Sequence, residues 1–427
     1  MAPVPAGQFP HMTSLRQEFA SAPALDIAAA VERGWTLPVR AGSTVAIAVG
    51  SRGIARIDEV VRAVICRLRA AGAQPFIVPA MGSHAGATAA AQAELLAGCG
   101  ISEAALGVPV RASMEVKVIG QTEDGVPVHM AAEALAADGI VVINRIKPHT
   151  DLHGPIESGL LKMIAVGLGK QIGAGAFHAG VARFGFSRVV LQVARISLAK
   201  APVLGGVALV ENQRHQLARL EVLPADRIVE GEQSLLEHAK ELMPRIPFDD
   251  IDLLIVDSMG KNISGAGMDP NVIGRSSSGY VSTLTQAGPR RPFVRRLFVR
   301  ELTPESHGNA TGLGLADFAT TRLVKAIDSG ATYTNALTSL SVLSAKIPIH
   351  FDSDREVLAN ALATLAIDDA RTARVVRIRD TLSLGQIEVS ETLAREGDGR
   401  PGITLEGAPA PMRFDAGGNL LPLPPPR

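Results

Sequence analysis

The sequence predicts an α/β fold: two α/β domains with mainly parallel sheets and an active-site cleft between them. Three observations lead there. Short β-branched apolar runs alternate with stretches of helical apolar spacing, the pattern of parallel strands joined by right-handed crossovers. The 427 residues exceed one comfortable hydrophobic core. A break containing two prolines, Pro244-Arg245-Ile246-Pro247-Phe248-Asp249, separates two such alternating regions. The expected domains are residues 1–249 and 250–427.

In order, residues 1 to about 43 read as an arm with one short helix near Asp26 to Arg33, packing across the other domain or a neighbouring molecule. Thr44 to Val49 (TVAIAV) is a strand, followed by the turn Gly50-Ser51-Arg52-Gly53. Ile57 to Ala71 has helical apolar spacing with Gly72 as its stop. Pro75 to Pro79 is a second strand, leading into Met81-Gly82-Ser83-His84-Ala85-Gly86 and an Ala-rich helix. Glu115 to Ile119 reads as a strand and Met130 to Ala137 as a helix. The run Ile140-Val141-Val142-Ile143 is a buried strand, Ser187 to Ala199 a helix, Leu204 to Val210 a strand, and Pro224 to Glu241 a turn and helix.

The second domain opens with the strand IDLLIVD from Ile251 and the polar loop Met259 to Arg275. A strand at Arg296 to Leu302 follows, then helices at Ala316 to Asp328, Thr332 to Leu340 and Ser353 to Ala366, and a strand at Arg374 to Ile378. The Pro/Gly-rich tail from about Gly407 reads as a surface wrap or partly disordered segment.

Composition narrows the function. With 42 basic and 42 acidic residues the formal net charge is zero, which gives no basic stripe for nucleic acid and no polybasic membrane patch. Aromatics make up only 4%, too few for base-stacking platforms. No apolar run approaches a membrane helix and no signal peptide is legible at the start, so a cytoplasmic address is expected. Two cysteines, Cys66 and Cys99, exclude a four-cysteine zinc or iron–sulfur site within one chain.

The candidate site follows strand ends. Ligands in open parallel sheets bind outside the carboxyl ends of the strands. Arg52 follows one strand, His84 another, and Arg145, Lys147 and His149 a third, with His153 further along that loop. Cations there would hold a carboxylate while imidazoles move protons near neutral pH. Lys162, inside Leu160-Leu161-Lys162-Met163-Ile164, either snorkels to water or sits desolvated and nucleophilic. Each residue also has a plain reading: Arg52 caps a turn or pairs with Asp58, His178 is a turn histidine, and Lys261 is a solvated loop lysine. The turn Gly167-Leu168-Gly169-Lys170 lacks the spacing and the Ser/Thr of a phosphate-binding loop. The other six histidines, His11, His129, His215, His238, His307 and His350, have no supporting context. A zinc site of His149, His153 and His178, serving a hydrolase, is the main metal alternative. A non-catalytic protein binding a 2-hydroxy acid or nucleotide is the other alternative.

The GSHAGAT loop, the KPHT…GLLK…FH stretch and the GKNISGAGMDPN loop resemble the nickel-pincer-dependent lactate racemase family, including its other 2-hydroxyacid racemases and epimerases. The resemblance implies two α/β domains, the first binding the cofactor and carrying catalysis, the second closing the cleft. It implies a racemase or epimerase acting at C2 of a 2-hydroxy acid by transient hydride transfer to a nickel-bearing pyridinium-3,5-bisthiocarboxylate mononucleotide, through a 2-keto acid. Lys162 would tether that nickel-pincer nucleotide as a thioamide and His178 would ligate the nickel, since they stand sixteen apart (178 − 162 = 16) as the family requires. His84 would be one catalytic histidine. The second is His149 by its KPHT context after the strand, or His153 by its spacing from Lys162. Arg52 and Lys261 would hold substrate, with Arg145 and Lys147 nearby. Partners would be a small 2-hydroxy acid and the maturation proteins that make the cofactor, without which recombinant protein is expected as apoprotein; an oligomer is compatible with this. The sequence departs from the lactate enzymes in the apolar GLL before Lys162, in Ala85 where arginine is usual, and in the GSRG turn. The resemblance is therefore closer in cofactor-holding than in substrate-recognition elements.

Overall fold

The computed structural model describes residues 8–19, 24–50, 53–150, 152–275 and 291–423. It divides into two units, Ala20–Met243 and Met1–Phe19 together with Pro244–Arg427. The first strand, β1 (His11–Gln17), belongs to the second of these.

In the unit Ala20–Met243, β2 (Thr44–Val49) and β3 (Gln74–Pro79) are followed by β4 (Val116–Gln121), β5 (Pro127–Ala131), β6 (Gly139–Arg145), β7 (Val203–Glu211) and β8 (Leu217–Pro224). The main sheet has the order β3-β2-β6-β7-β8, parallel except for β8, which returns antiparallel beside β7. Alternation along a strand sends neighbouring side chains to opposite faces. Val45, Ile47 and Val49 pack with Ile27, Val31, Val60 and Val64 from the helices Ile27–Gly34 and Ile57–Ala70. The small Ala46 and Ala48 face the other layer, where they leave room for Leu160, Leu161, Ile164 and Phe177. The expected strand at Glu115 to Ile119 forms, but β4 pairs only with β5 in a separate antiparallel ribbon. Met130 and Ala131 belong to β5, so the helix expected from Met130 shortens to Ala132–Leu135.

The chain runs from β2 outward to β3, then returns to place β6 on the opposite side of β2. The strand order thus reverses between β2 and β6, and the carboxyl ends at such a switch point are where α/β sheets bind ligands.

The second unit adds β9 (Asp250–Met259), β10 (Phe293–Leu302), β11 (Phe318–Thr320), β12 (Ile349–Phe351), β13 (Val375–Ile378), β14 (Gln386–Ser390) and β15 (Ile403–Pro411). Its sheet has the order β12-β11-β10-β9-β13-β14-β1-β15. The strands β12 to β13 are parallel, and β14, β1 and β15 continue antiparallel. The N-terminal arm thus crosses out of residues 1–249 and lies between β14 and β15. The observed division differs from the one expected at 249/250 in two ways: residues up to Phe19 join the second unit, and the boundary falls between Met243 and Pro244.

Two expected elements change character. The helix read over Ala316 to Asp328 splits into β11 and a short helix Thr321–Lys325, because Thr320 ends the strand and its side chain caps the helix by accepting from Leu323 N. The tail read as a wrap begins as β15, and its end is pinned by Arg300 donating to Leu420 O and Arg377 to Leu421 O. The α/β class with mainly parallel strands is as the sequence predicts. Among the described residues no single helix is long and apolar enough to cross a membrane.

Candidate active site

Lys162 and His178 lie on two helical segments, Leu160–Gly167 and Lys170–Phe184, that meet at a 109° bend. On a straight helix sixteen residues would separate them by about 24 Å. Instead the bend folds the second segment back, and the two residues interact electrostatically. Burial lowers the His178 pKa, and the Lys162 charge lowers it further, so the imidazole is neutral at pH 7 with a lone pair available. The bend is built from a π-helical turn, Met163–Gly167, followed by Lys170 in the left-handed region at φ 53°. Gly167 is required there, since a β-carbon would sit 2.5 Å from Ala80 O at the end of β3.

The lead-in to Lys162 is fixed from two sides. Asn144 at the end of β6 donates to Gly159 O at 2.8 Å, and buried Glu232 accepts from Leu161 N at 2.8 Å. Glu232 is fully buried, and desolvation raises its pKa to about 7 against the lowering effect of the Leu161 and Leu160 amides.

The loop after β6 closes on itself through paired hydrogen bonds between Lys147 and Ser158. At its centre Glu157, only 2% exposed, accepts from His149 N at 2.7 Å and faces His153 Nδ1 at 3.5 Å and Lys240 Nζ at 3.4 Å. Burial raises its pKa, but the hydrogen bonds to His153 and the His149 amide, with the charges of His153 and Lys240, hold it below the ordinary value. The two histidines are consequently unlike. His149 Nδ1 accepts from Leu152 N at 3.1 Å, which leaves the proton of a neutral ring on Nε2. His153 turns Nδ1 toward a carboxylate, which favours the tautomer with the proton on Nδ1 and the lone pair on Nε2. An aromatic chain runs from His149 to Phe186 (6.3 Å, tilted) and then edge-to-face to Phe177 (6.2 Å) and His178 (5.7 Å), connecting this loop with the bent helix.

His84 is exposed, at the head of a tight turn after β3. Its loop lies on the bend, with Gly82 N donating to Gly167 O at 3.1 Å. The structure therefore gathers the His84 loop, the His149/His153 loop, Lys162 and His178 around one bent helix. Arg145 is committed elsewhere: its guanidinium pairs with buried Glu211 at the end of β7, which also accepts from Ala55 N. Lys261, in the second unit, donates to Gly265 O at 2.5 Å and Asn335 Oδ1 at 2.6 Å. Arg52 lies outside the described residues. Among the described residues no three His, Cys, Asp or Glu side chains gather as metal ligands, so the alternative His149, His153 and His178 zinc site is not formed.

Sequence reasoning missed four residues. Lys170, from the turn dismissed as a weak phosphate loop, is the deeply buried lysine (1% exposed), whereas Lys162 is half-buried. Gln92 is fully buried under the His84 loop. Glu157 was visible four residues after His153. Glu232 was visible as an acid on the buried face formed by Ile228, Leu235, Leu236 and Ala239.

Residues 37–178 match the family described as lactate racemase N-terminal domain. Among solved structures, the lactate racemase apoprotein from Thermoanaerobacterium thermosaccharolyticum is 13% identical, with 89% of this chain and 95% of that chain covered at a TM-score of 0.49. A protein from Thermotoga maritima is also 13% identical, with 64% and 68% covered at a TM-score of 0.44. No curated protein matches the sequence.

Proposed function

We propose that this chain, a lactate racemase-like family member by its residues 37–178, is a racemase or epimerase acting at C2 of a small 2-hydroxy acid. The observation behind this reading is the pairing of Lys162 with a neutral His178 across the 109° bend. The donor set fits the family's nickel-pincer nucleotide: one primary amine suited to a covalent tether, and one uncharged imidazole suited to ligating a metal whose other ligands the nucleotide provides. Lys162 and His178 would hold the group, and when bound it supplies the acceptor for the C2 hydride.

The chain's own part is proton movement and orientation. His153, with Nδ1 toward Glu157 and the lone pair on Nε2, takes the 2-hydroxyl proton as a base and returns it as an acid. His84 does the same for the other enantiomer. His149 has its amide on Glu157 and its ring beside Phe186, so its task is to hold the loop and to donate a hydrogen bond from Nε2. On this reading the second catalytic histidine is His153, as its spacing from Lys162 indicates, and not His149. Arg52, Lys261 and Lys147 are the proposed cations for the carboxylate, and the Arg145–Glu211 pair braces the ends of β6 and β7.

The test is intact mass and metal analysis of protein produced with nickel and the cofactor maturation proteins. A nucleotide-sized adduct on Lys162 with bound nickel, together with interconversion of 2-hydroxy acid enantiomers or epimers, is the expected result. His84→Ala is expected to keep the adduct and lose interconversion. Full activity in that variant sinks the assignment of His84, and an unmodified, metal-free protein sinks the cofactor.

A further inference from the structure

The three carbonyls that shape the His84 loop all turn inward onto two buried side chains. Lys170 Nζ donates to Pro79 O at 2.5 Å and to Gln92 Oε1 at 3.3 Å. Gln92 Nε2 donates to Gly82 O at 3.0 Å and to His84 O at 3.3 Å. The direction of the chain is fixed chemically. An ammonium is a donor only, so Gln92 must present its oxygen to Lys170 and its amide nitrogen to the loop. A flipped amide would set nitrogen against the ammonium and oxygen against two carbonyls.

The loop needs this support. Ala85, Gly86 and Ala87 are consecutive left-handed residues, with φ of 53°, 63° and 55°. Two of them carry a β-carbon, and such conformations persist only where their surroundings over-determine them. A surface turn of this kind would not hold His84 in one place by itself. Burying an ammonium solely for structural support is also costly. Here the lysine sits at the bend that brings Lys162 to His178, and one lysine–glutamine relay ties that bend to the His84 turn.

We propose that Lys170 and Gln92 are positioning residues for His84: a buried donor relay that fixes the strained loop of one catalytic histidine relative to the helix bearing Lys162. The proposal rests on the reading of His84 as catalytic, but its structural half is testable without turnover. In Gln92→Met, which keeps the Lys170–Pro79 bond, and in Lys170→Met, the amides of Gly82, His84 and Ala87 should exchange hydrogen at least tenfold faster than in the wild-type chain. In Gln92→Met the amides of residues 162 to 178 should exchange at unchanged rates. In cofactor-loaded enzyme, kcat should fall about 10- to 100-fold with KM within twofold, because substrate still binds while the histidine is misplaced. Unchanged exchange at the three loop amides of Gln92→Met, or acceleration spread equally through residues 162 to 178, overturns the relay. If the wild-type chain converts no 2-hydroxy acid, the proposed reaction fails while the exchange comparison still decides the relay. Altered exchange with wild-type kcat overturns the catalytic purpose and leaves only a structural one.

Discussion

The loop after β3 turns carbonyls inward and is met by a buried cation; the loop after β6 turns an amide inward and is met by a buried anion. Lys170, relayed by Gln92, holds the His84 turn, and Glu157 holds the loop of His149 and His153. Burial acts against both charges, but with opposite outcomes. Desolvation brings Lys170 down to about 8, for its partners are neutral oxygens. Glu157 has His153 and Lys240 beside it, and these outweigh its burial. The half of the peptide group facing the interior selects the sign of the anchor, and the presence of a counter-charge decides whether that anchor titrates near neutrality.

The comparison can be broken most forcefully at Glu157. Glu157→Leu removes the acceptor that orients His153 and leaves the His149 amide unsatisfied. Interconversion should fall roughly 10³-fold, about 4 kcal/mol of transition-state stabilisation. Steady-state rates on loaded enzyme check it, and a loss under tenfold would detach Glu157 from the chemistry.

Glu232 sharpens the contrast, being a buried carboxylate with amide donors but no cation among the causes of its shift. Its folded pKa of about 7 lies above the ordinary 4.5, so the folded state binds more protons between those values and stability is lost as pH rises through them. Relative to Glu232→Gln, the wild-type chain should lose about 3 kcal/mol between pH 4.5 and pH 7.5, read by urea unfolding. A parallel pH dependence in the two proteins would refute it.

Lys170 should show the opposite slope. Its folded pKa is depressed from 10.5 to about 8, so the unfolded chain binds more protons between those values and stability rises with pH. Against Lys170→Met, the wild-type chain should gain about 2 kcal/mol from pH 8 to pH 10 in the same unfolding assay. The smallest effect falls on one of the two histidines of one loop. His149→Gln should cost less than about tenfold in kcat/KM, whereas His153→Gln should cost at least about 10³-fold. The reverse order would return the catalytic role to His149.

What the sequence made legible was local. The strand Thr44–Val49 and the β-α alternation of the first unit follow from periodicity alone, whereas Lys162 and His178 were paired only through the sixteen-residue interval that the family resemblance implies. The bend that makes the count meaningful could not be read, because it depends on Gly167 fitting against Ala80 O from a distant strand. The two lysines were misleading in sequence: Lys162 has apolar neighbours and Lys170 lies between Gly169 and Gln171, yet packing beneath β3 submerges Lys170. The short strand Phe318–Thr320 resembled a helix start until its pairing with β10 was known. In the candidate site, residues could be named for their chemistry, but residues that hold them from beneath could not, since a lone Gln92 or Glu232 announces nothing without its partners.

The placement of β1 bears on how the chain comes to be assembled. Thr13 Oγ1 donates to Gly407 O, 394 residues further along. At about 5–20 residues per second, a ribosome needs roughly 20–80 s to deliver that partner after the first strand has emerged. During this interval the unit Ala20–Met243 has all its own strands and can fold, while β1 waits for its partners. The second sheet therefore closes only after β14 and β15 have been made, by insertion of β1 between them.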